Sequence, residues 1–257
     1  MATKLKIMSF NMRLDQANDG ANHFNLRKGR IIEFINQANA DIIGFQEITP
    51  TMRQWLVETF PAYYMVGVGR AADYSDETAL IAFRKDTMAL MSCDTIMLSS
   101  TPRVFGSRYD GSDQSQCPRE YVRACLKHRD IAEPFYVYNI HTDHAGQISR
   151  MLAMTQVMQD ITSHNKKFFF TGDFNAKPDT PEIAMITQCR ARAIKDTTAE
   201  LGGTFHNFGR EAEPWKIDYI FTDADTTVLE SVRVEDHPAE GQTYISDHNP
   251  VYIIAEL

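Results

Sequence analysis

Phe168-Phe169-Phe170-Thr171-Gly172-Asp173-Phe174-Asn175-Ala176-Lys177-Pro178 is the stretch on which the reading of this chain turns. Three consecutive aromatics after Lys166 and Lys167 predict a short strand buried on both faces, and Gly172 interrupts the pattern so that the chain turns there. Asp173 is thereby placed at a strand end. If the extended conformation persists through Asn175, a carboxylate and a carboxamide straddling Phe174 point the same way. One accepts a proton, and the other donates hydrogen bonds to a charged oxygen. Asp and Asn also make ordinary turns, so the local sequence leaves both readings open.

The neighbouring segments repeat the theme of polar groups at strand ends. Leu5 to Asn11 alternates as a strand and delivers Asn11 and Arg13 to its end. A helix is predicted from Asn25 or Leu26 to about Asn39, with Arg27, Lys28 and Arg30 on its wet side. Asp41 to Glu47 is then a buried strand ending in a carboxylate, so the chain begins with a βαβ-like unit, in which ligands collect at strand ends. Thr49 and Pro50 open a helix to about Phe60, and strands are expected at Tyr63 to Val68, Thr78 to Arg84 and near Thr95 to Leu98. Gly67 and Gly69 are a weak phosphate loop, since no helix start follows them. Tyr121 to Arg129 and Pro134 to Asn139 read as an antiparallel pair.

That pair runs into Asn139-Ile140-His141-Thr142-Asp143-His144, where three ionisable groups fall within four residues, a local signal for metal, phosphate or acid–base work against the alternative of a solvated loop. Ser149 to Ser163 is an amphipathic helix whose methionines fill core, and another helix follows Asp179-Thr180-Pro181-Glu182. Lys216 to Phe221 is a strand with Asp218 among apolar neighbours, which requires a partner for that carboxylate. Val228 to Val234 is a strand, and Ser246-Asp247-His248-Asn249-Pro250 turns into a closing strand, Val251 to Ala255.

With 257 residues, 43% of them hydrophobic, and no linker-like break, the chain reads as one α/β domain over 1–257. A net charge of −8 argues against gripping long nucleic acid by phosphate neutralisation, though it permits a small anion held through a metal. Cys93, Cys117, Cys125 and Cys189 have no CxxC spacing, which fits a reduced, cytoplasmic setting. No apolar run approaches the roughly 20 residues of a membrane span, and no membrane partner is expected.

Asn11, Glu47, Glu77, His141, Asp173, Asn175, Asp218, Asp247 and His248 all lie at or beside predicted strand ends. Gathered at one mouth, they form an oxygen-rich environment suited to Mg²⁺, with Mn²⁺ or Ca²⁺ as substitutes, in preference to zinc. Two histidines beside spare aspartates suggest imidazoles held charged and oriented. The matching chemistry is phosphate-ester hydrolysis, with cationic groups on the phosphate oxygens and a carboxylate on the water. No GxSxG elbow points to a serine hydrolase.

Ser9-Phe10-Asn11-Met12-Arg13, Gln46-Glu47, Gly67-Val68-Gly69-Arg70 to Glu77, Asn139 to His144, Gly172-Asp173-Phe174-Asn175, Ile217 to Phe221 and Ser246-Asp247-His248 occur in the order seen in the endonuclease/exonuclease/phosphatase superfamily, which this chain resembles over essentially its whole length and most closely in the bacterial stand-alone type. The resemblance implies a DNase I-like fold, a four-layer α/β sandwich of two mixed β-sheets packed face to face with helices outside. It implies that Asn11 and Glu47 hold Mg²⁺, with Asp247 as a further ligand or neighbour of His248. Asp173 would activate water and Asn175 position it and the phosphate. His141 and His248 would bond phosphate oxygens, oriented by Glu77 and Asp218. Relatives often carry Arg-x-x-Thr-Trp where this chain has Arg119-Glu120-Tyr121-Val122-Arg123, so only Arg119 remains to reach phosphate. Asp76 stands where a glycine is often found before Glu77, which puts that loop's geometry in question.

The expectation is a Mg²⁺-dependent phosphoesterase, of phosphodiesters ahead of monoesters, acting as a nuclease on short or single-stranded nucleic acid. The alternatives are a hydrolase of a small sugar, nucleotide or headgroup phosphoester, and a binding module that keeps the fold without turnover.

Overall fold

A computed structural model describes residues 2–257, the side chain of Ala17 excepted. The chain opens with β1 (Lys4–Asn11), α1 (Phe24–Ala38) and β2 (Ile42–Gln46), and β1 and β2 pair in parallel, as a helical crossover requires. Asn39 takes the left-handed conformation that ends α1, its N–H returning to the Ile35 carbonyl at 3.0 Å. Thr49 caps α2 (Pro50–Thr59) by accepting from the Met52 N–H, and Pro50 occupies the first turn, where no backbone donor is needed. Next come β3 (Tyr63–Val66), β4 (Ile81–Arg84) and β5 (Met88–Met97), the last much longer than the sequence suggested.

A second parallel crossover joins β7 (Phe135–His141) through α3 (Gln147–Thr162) to β8 (Phe168–Asp173), after β6 (Glu120–His128). The chain closes through α4 (Pro181–Thr187), β9 (Ile194–Asp196), β10 (Asp218–Asp223), β11 (Thr227–Arg233) and β12 (Val251–Glu256). The strand β9 is too short to have been visible in the sequence.

Two six-stranded mixed sheets result, ordered β11-β12-β1-β2-β4-β3 and β5-β6-β7-β8-β10-β9. The three phenylalanines of β8 show how they are layered. Phe169 points into the core between the sheets, with Leu5, Ile7, Phe83, Val137 and Ile253. Phe168 and Phe170 point the other way, onto Val157 and Ile161 of α3 and Ile183 of α4. On the far side, α1 and α2 cover the first sheet through Ile31, Ile35, Met52 and Leu56. The layers are therefore helix, sheet, sheet, helix, the α/β sandwich expected.

Buried side chains also join the sheets by hydrogen bonds. Asn139 of β7 donates to the Phe45 and Leu80 carbonyls at 2.7 and 3.0 Å, and its Oδ1 accepts from Gln46 Nε2 at 2.7 Å and Thr171 Oγ1 at 3.0 Å. Such a satisfied buried network fixes how one sheet sits on the other. Asn11, Gln46, His141 and Asp173 end β1, β2, β7 and β8, and Asp218 begins β10, so all five emerge at the same edge.

Candidate active site

Asp173 occupies the centre of that edge. Its Oδ2 accepts from Asn11 Nδ2 at 2.9 Å and its Oδ1 from the Asn175 backbone N–H at 2.9 Å, while Nε2 of His141 and of His248 each stand 3.7 Å from Oδ2. Burial and the nearby Asp218 carboxylate raise the Asp173 pKa to about 7, against the pull of His248. Asn175 departs from expectation. The extended path stops at Asp173, and Asn175 adopts φ +44°, a left-handed turn closed onto the Asp173 side chain. Its side-chain Nδ2 donates to the Thr142 carbonyl at 3.1 Å.

The two histidines are shifted in opposite directions. Burial opposes protonation of His248, but Asp218 accepts from its Nδ1 at 2.8 Å, and with Asp173 and Asp247 outweighs that cost, raising its pKa to about 10. His248 is an imidazolium. His141 is pushed well below the ordinary histidine range by burial and by Arg119 and Arg70, so the expectation of two charged imidazoles holds for His248 alone. Nor does Glu77 orient His141 by a hydrogen bond. Glu77 Oε2 is 3.9 Å from His141 Nδ1, which has no partner, because Arg70 claims Glu77 with an Nη2 contact of 2.8 Å to Oε1.

Arg70 also explains the loop around Asp76. That residue takes φ +70°, a conformation a glycine would adopt freely, and holds it by accepting from Arg70 Nε at 3.0 Å and from the Glu77 N–H at 2.8 Å. The departure at Asp76 therefore preserves the turn.

Glu47 is another strained position, at φ +63°, with Oε1 accepting from Asn11 Nδ2 at 3.1 Å and Oε2 from the Leu14 N–H at 2.9 Å. Ligand atoms of Glu47, His141 and Asp173 lie within 4.8 Å of one another, as do those of Asp173, Asp218 and His248. Asp247 belongs to neither group. It is almost fully buried, and burial raises its pKa. Closely spaced buried carboxylates, with an amide between two of them, are a donor set that suits a hard divalent cation. Asn11 presents Nδ2 to both carboxylates, and its Oδ1 accepts from the Arg13 N–H at 2.9 Å. Ligation through Oδ1 would require its amide to turn.

Arg119 is buried at 4% exposure, yet its Nε and Nη1 have no hydrogen-bond partner. Nη2 approaches His144 Nδ1 at 3.0 Å, and Nε lies 3.7 Å from Asp143 Oδ2. Arg119 lines the central cavity, and a buried guanidinium with unmatched donors favours an anion beside it. That cavity, of about 660 Å³, also exposes Glu47, His141, Asp173 and His248.

Sequence reasoning missed two contributions. Arg27, expected on the wet face of α1, is wholly buried and donates to the carbonyls of Asn22, Met12, Ile245 and Arg13 at 2.7 to 2.8 Å. It ties the end of β1 to the turn that carries Asp247 and His248, and burial lowers its pKa to about 10. Phe205 and Trp215 also line the cavity. Neither lies in a recognisable motif, although Trp215 precedes Asp218 by only three residues.

The sequence pattern of the Endonuclease/Exonuclease/phosphatase family matches residues 8–248. A Bacteroides vulgatus endonuclease/exonuclease/phosphatase structure is 30% identical with a TM-score of 0.90, covering 99% of each chain. The mannosyl-6-phosphatase of Bacteroides thetaiotaomicron is 25% identical with a TM-score of 0.87, covering 98% of this chain and 99% of its own. D. rerio TDP2, in a complex with a single-strand DNA product, shares the fold at 17% identity and a TM-score of 0.77, covering 99% of this chain and 100% of its own. No curated protein matches the chain.

Proposed function

Because this chain belongs to the endonuclease/exonuclease/phosphatase family, we propose that it is a divalent-metal-dependent phosphoesterase that hydrolyses a small phosphoester, a sugar phosphate foremost, by attack of water at phosphorus. The observation that carries the reading is the convergence on Asp173 of Asn11, the Asn175 N–H, His141 and His248, beside the open donors of Arg119.

Glu47, Asn11 and Asp247 would hold Mg²⁺, or Mn²⁺ in its place. When bound, the ion neutralises phosphate oxygens and makes phosphorus more electrophilic. Asp173 orients the attacking water and accepts its proton, as a carboxyl poised near neutral pH is suited to do. The turn at Asn175 fixes the Asp173 carboxylate, leaving the Asn175 side chain at the cavity wall to position the phosphate. His248, held protonated by Asp218, supplies a charged N–H donor to the phosphate oxygens, and His141 a neutral one. Arg119 adds a guanidinium charge at the same wall. As the new P–O bond to water forms, the ester P–O bond breaks and the sugar leaves with its oxygen.

The preference for a small ester over nucleic acid rests on the net charge of −8 and on the 25% identity to a mannosyl-6-phosphatase. A panel of hexose 6-phosphates, nucleotides and oligonucleotides, assayed with Mg²⁺ and with chelator, tests it. Metal-dependent phosphate release from a hexose 6-phosphate, absent in Asp173→Ala, is the expected result. Silence from folded, metal-supplied protein, or turnover indifferent to chelator, would overturn it.

A further inference from the structure

We infer that Trp215, held by Phe205 and flanked by Lys177, is the platform on which the leaving group's pyranose ring stacks, and so sets substrate specificity. This rests on the sugar-phosphate reading of the same cavity.

The wall is built by backbone pairing. Phe205 and Trp215 exchange both their N–H···O=C hydrogen bonds at 2.9 Å, and Phe205 forms a second bridge to His248. The rings follow this ladder. Phe205 lies 5.0 Å from the His248 imidazole and 5.7 Å from the Trp215 indole, both centroid to centroid and both tilted. The aromatic surface therefore starts at the imidazolium proposed to contact phosphate and reaches the indole through the ring of Phe205. That is where the alcohol portion of a small phosphoester must lie.

Trp215 is 45% exposed, although both it and Phe205 line the cavity. An indole left open to water inside a cleft, and fixed at its backbone, offers apolar area with little entropy left to lose on binding. Lys177 Nζ lies over one face of the ring, 4.8 Å from its centre, so the sugar takes the other face or displaces this ammonium, which can then donate to the ligand's hydroxyl oxygens. Gln16 and Thr180 add polar groups to the same lining.

The one-sided shape of the wall selects the ring. Apart from the histidines, Phe205 and Trp215 are the aromatic residues of the lining, and they are paired neighbours in contact with each other. A nucleobase is flat on two apolar faces and is best held between two. A pyranose has an apolar C–H face and an edge of hydroxyls, matching one indole face with polar groups around it.

Trp215→Ala, Trp215→Phe and wild type, compared on a hexose 6-phosphate and on ring-free glycerol 3-phosphate, provide the kinetic test. Trp215→Ala should raise KM for the hexose ester by about tenfold, the scale of one well-formed aromatic contact, affect glycerol 3-phosphate much less, and be largely rescued in Trp215→Phe. Equal loss on both esters, or on neither, would overturn the inference. A second arm is independent of turnover. The chain has two tryptophans, Trp55 and Trp215, so Trp55→Phe leaves Trp215 as the sole indole reporter. Its emission should change saturably with a hexose 6-phosphate and not with glycerol 3-phosphate, even if the protein hydrolyses neither. A flat response overturns the platform. A larger response to a nucleoside monophosphate would assign the wall to a base instead. Saturable hexose binding without hydrolysis would sink the proposed activity while keeping the platform.

Discussion

Asp173 and Asp218 stand directly opposite each other in the antiparallel register of β8 and β10, two buried carboxylates on neighbouring strands bridged by one imidazolium. His248 Nδ1 is 2.8 Å from Asp218 Oδ2, and its Nε2 is 3.7 Å from Asp173 Oδ2. Like charges so placed destabilise a sheet unless a cation lies between them. The arrangement divides their roles: Asp218 spends its charge on His248, and Asp173 is left with a raised pKa beside the cavity.

Asp218→Asn should therefore cost activity without touching substrate. It removes the acceptor that keeps His248 protonated, so the imidazole pKa falls from about 10 toward the ordinary histidine value and the charged donor is lost near neutral pH. Turnover should fall by about 10²-fold or more, within the usual range for a displaced acid–base group. A histidine titration by NMR in the metal-free variant reads the cause. An unchanged His248 midpoint would refute the assignment.

The open donors of Arg119 lead to a second expectation. Arg119→Ala should raise KM for a phosphomonoester strongly, because hydrogen bonds to a charged group are worth about 1.5–3 kcal/mol. Arg119→Lys should recover only part of this, since one ammonium cannot replace donors spread around a planar guanidinium. Steady-state kinetics on the three proteins decide it, and full recovery in the lysine variant would show that a point charge suffices.

Local features of the fold could be read from the sequence, and features whose partners lie far along the chain could not. The Phe168-Phe169-Phe170 run announces a strand covered on both faces because burial on two sides leaves no polar alternation to obscure it. Asn11, His141, Asp173 and Asp218 fall at strand ends by the same pattern; parallel crossovers bring the first three to one edge, and the antiparallel pairing of β10 with β8 brings the start of β10 to it. Arg27 was misplaced because a polar residue in a helix is usually wet, and one of the carbonyls that justify its burial belongs to Ile245. Arg70, seven residues before Glu77, engages its carboxylate, a competition with His141 that strand-end position does not encode. The turn at Asn175 depends on the Asp173 side chain accepting its N–H, a competition that strand periodicity does not encode.

The polar bridge between the sheets makes Gly44 a sensitive position. A Cβ there would fall on Thr171 Oγ1 and Asn139 Oδ1, both fully buried and hydrogen-bonded to each other. Gly44→Ala must push these groups apart, so it should destabilise the protein by about 1–3 kcal/mol, the usual cost of overpacking. Chemical denaturation at equilibrium measures this. Stability within error of wild type would mean that the bridge shifts freely, and that it does not fix the sheets as argued.

His164 supplies a pH dependence remote from the catalytic edge. Burial lowers its pKa, with Arg192 and Arg123 adding to the effect and Asp160 and Asp223 opposing it. The ring stacks on Tyr138 at 8° between planes, its Nε2 meets the Tyr138 hydroxyl at 2.8 Å, and Nδ1 is buried without a partner. Below the ordinary histidine value of 6.5 the unfolded chain takes up a proton that the folded ring resists. Folding stability should therefore decline as pH falls through 6.5, and this contribution levels off only below the folded pKa. His164→Phe keeps the aromatic contacts and removes the proton site, so the fall in denaturation midpoint between neutral and mildly acidic pH should be smaller in the variant. If both proteins lose stability equally over that interval, the imidazole is not the group that couples folding to protons there.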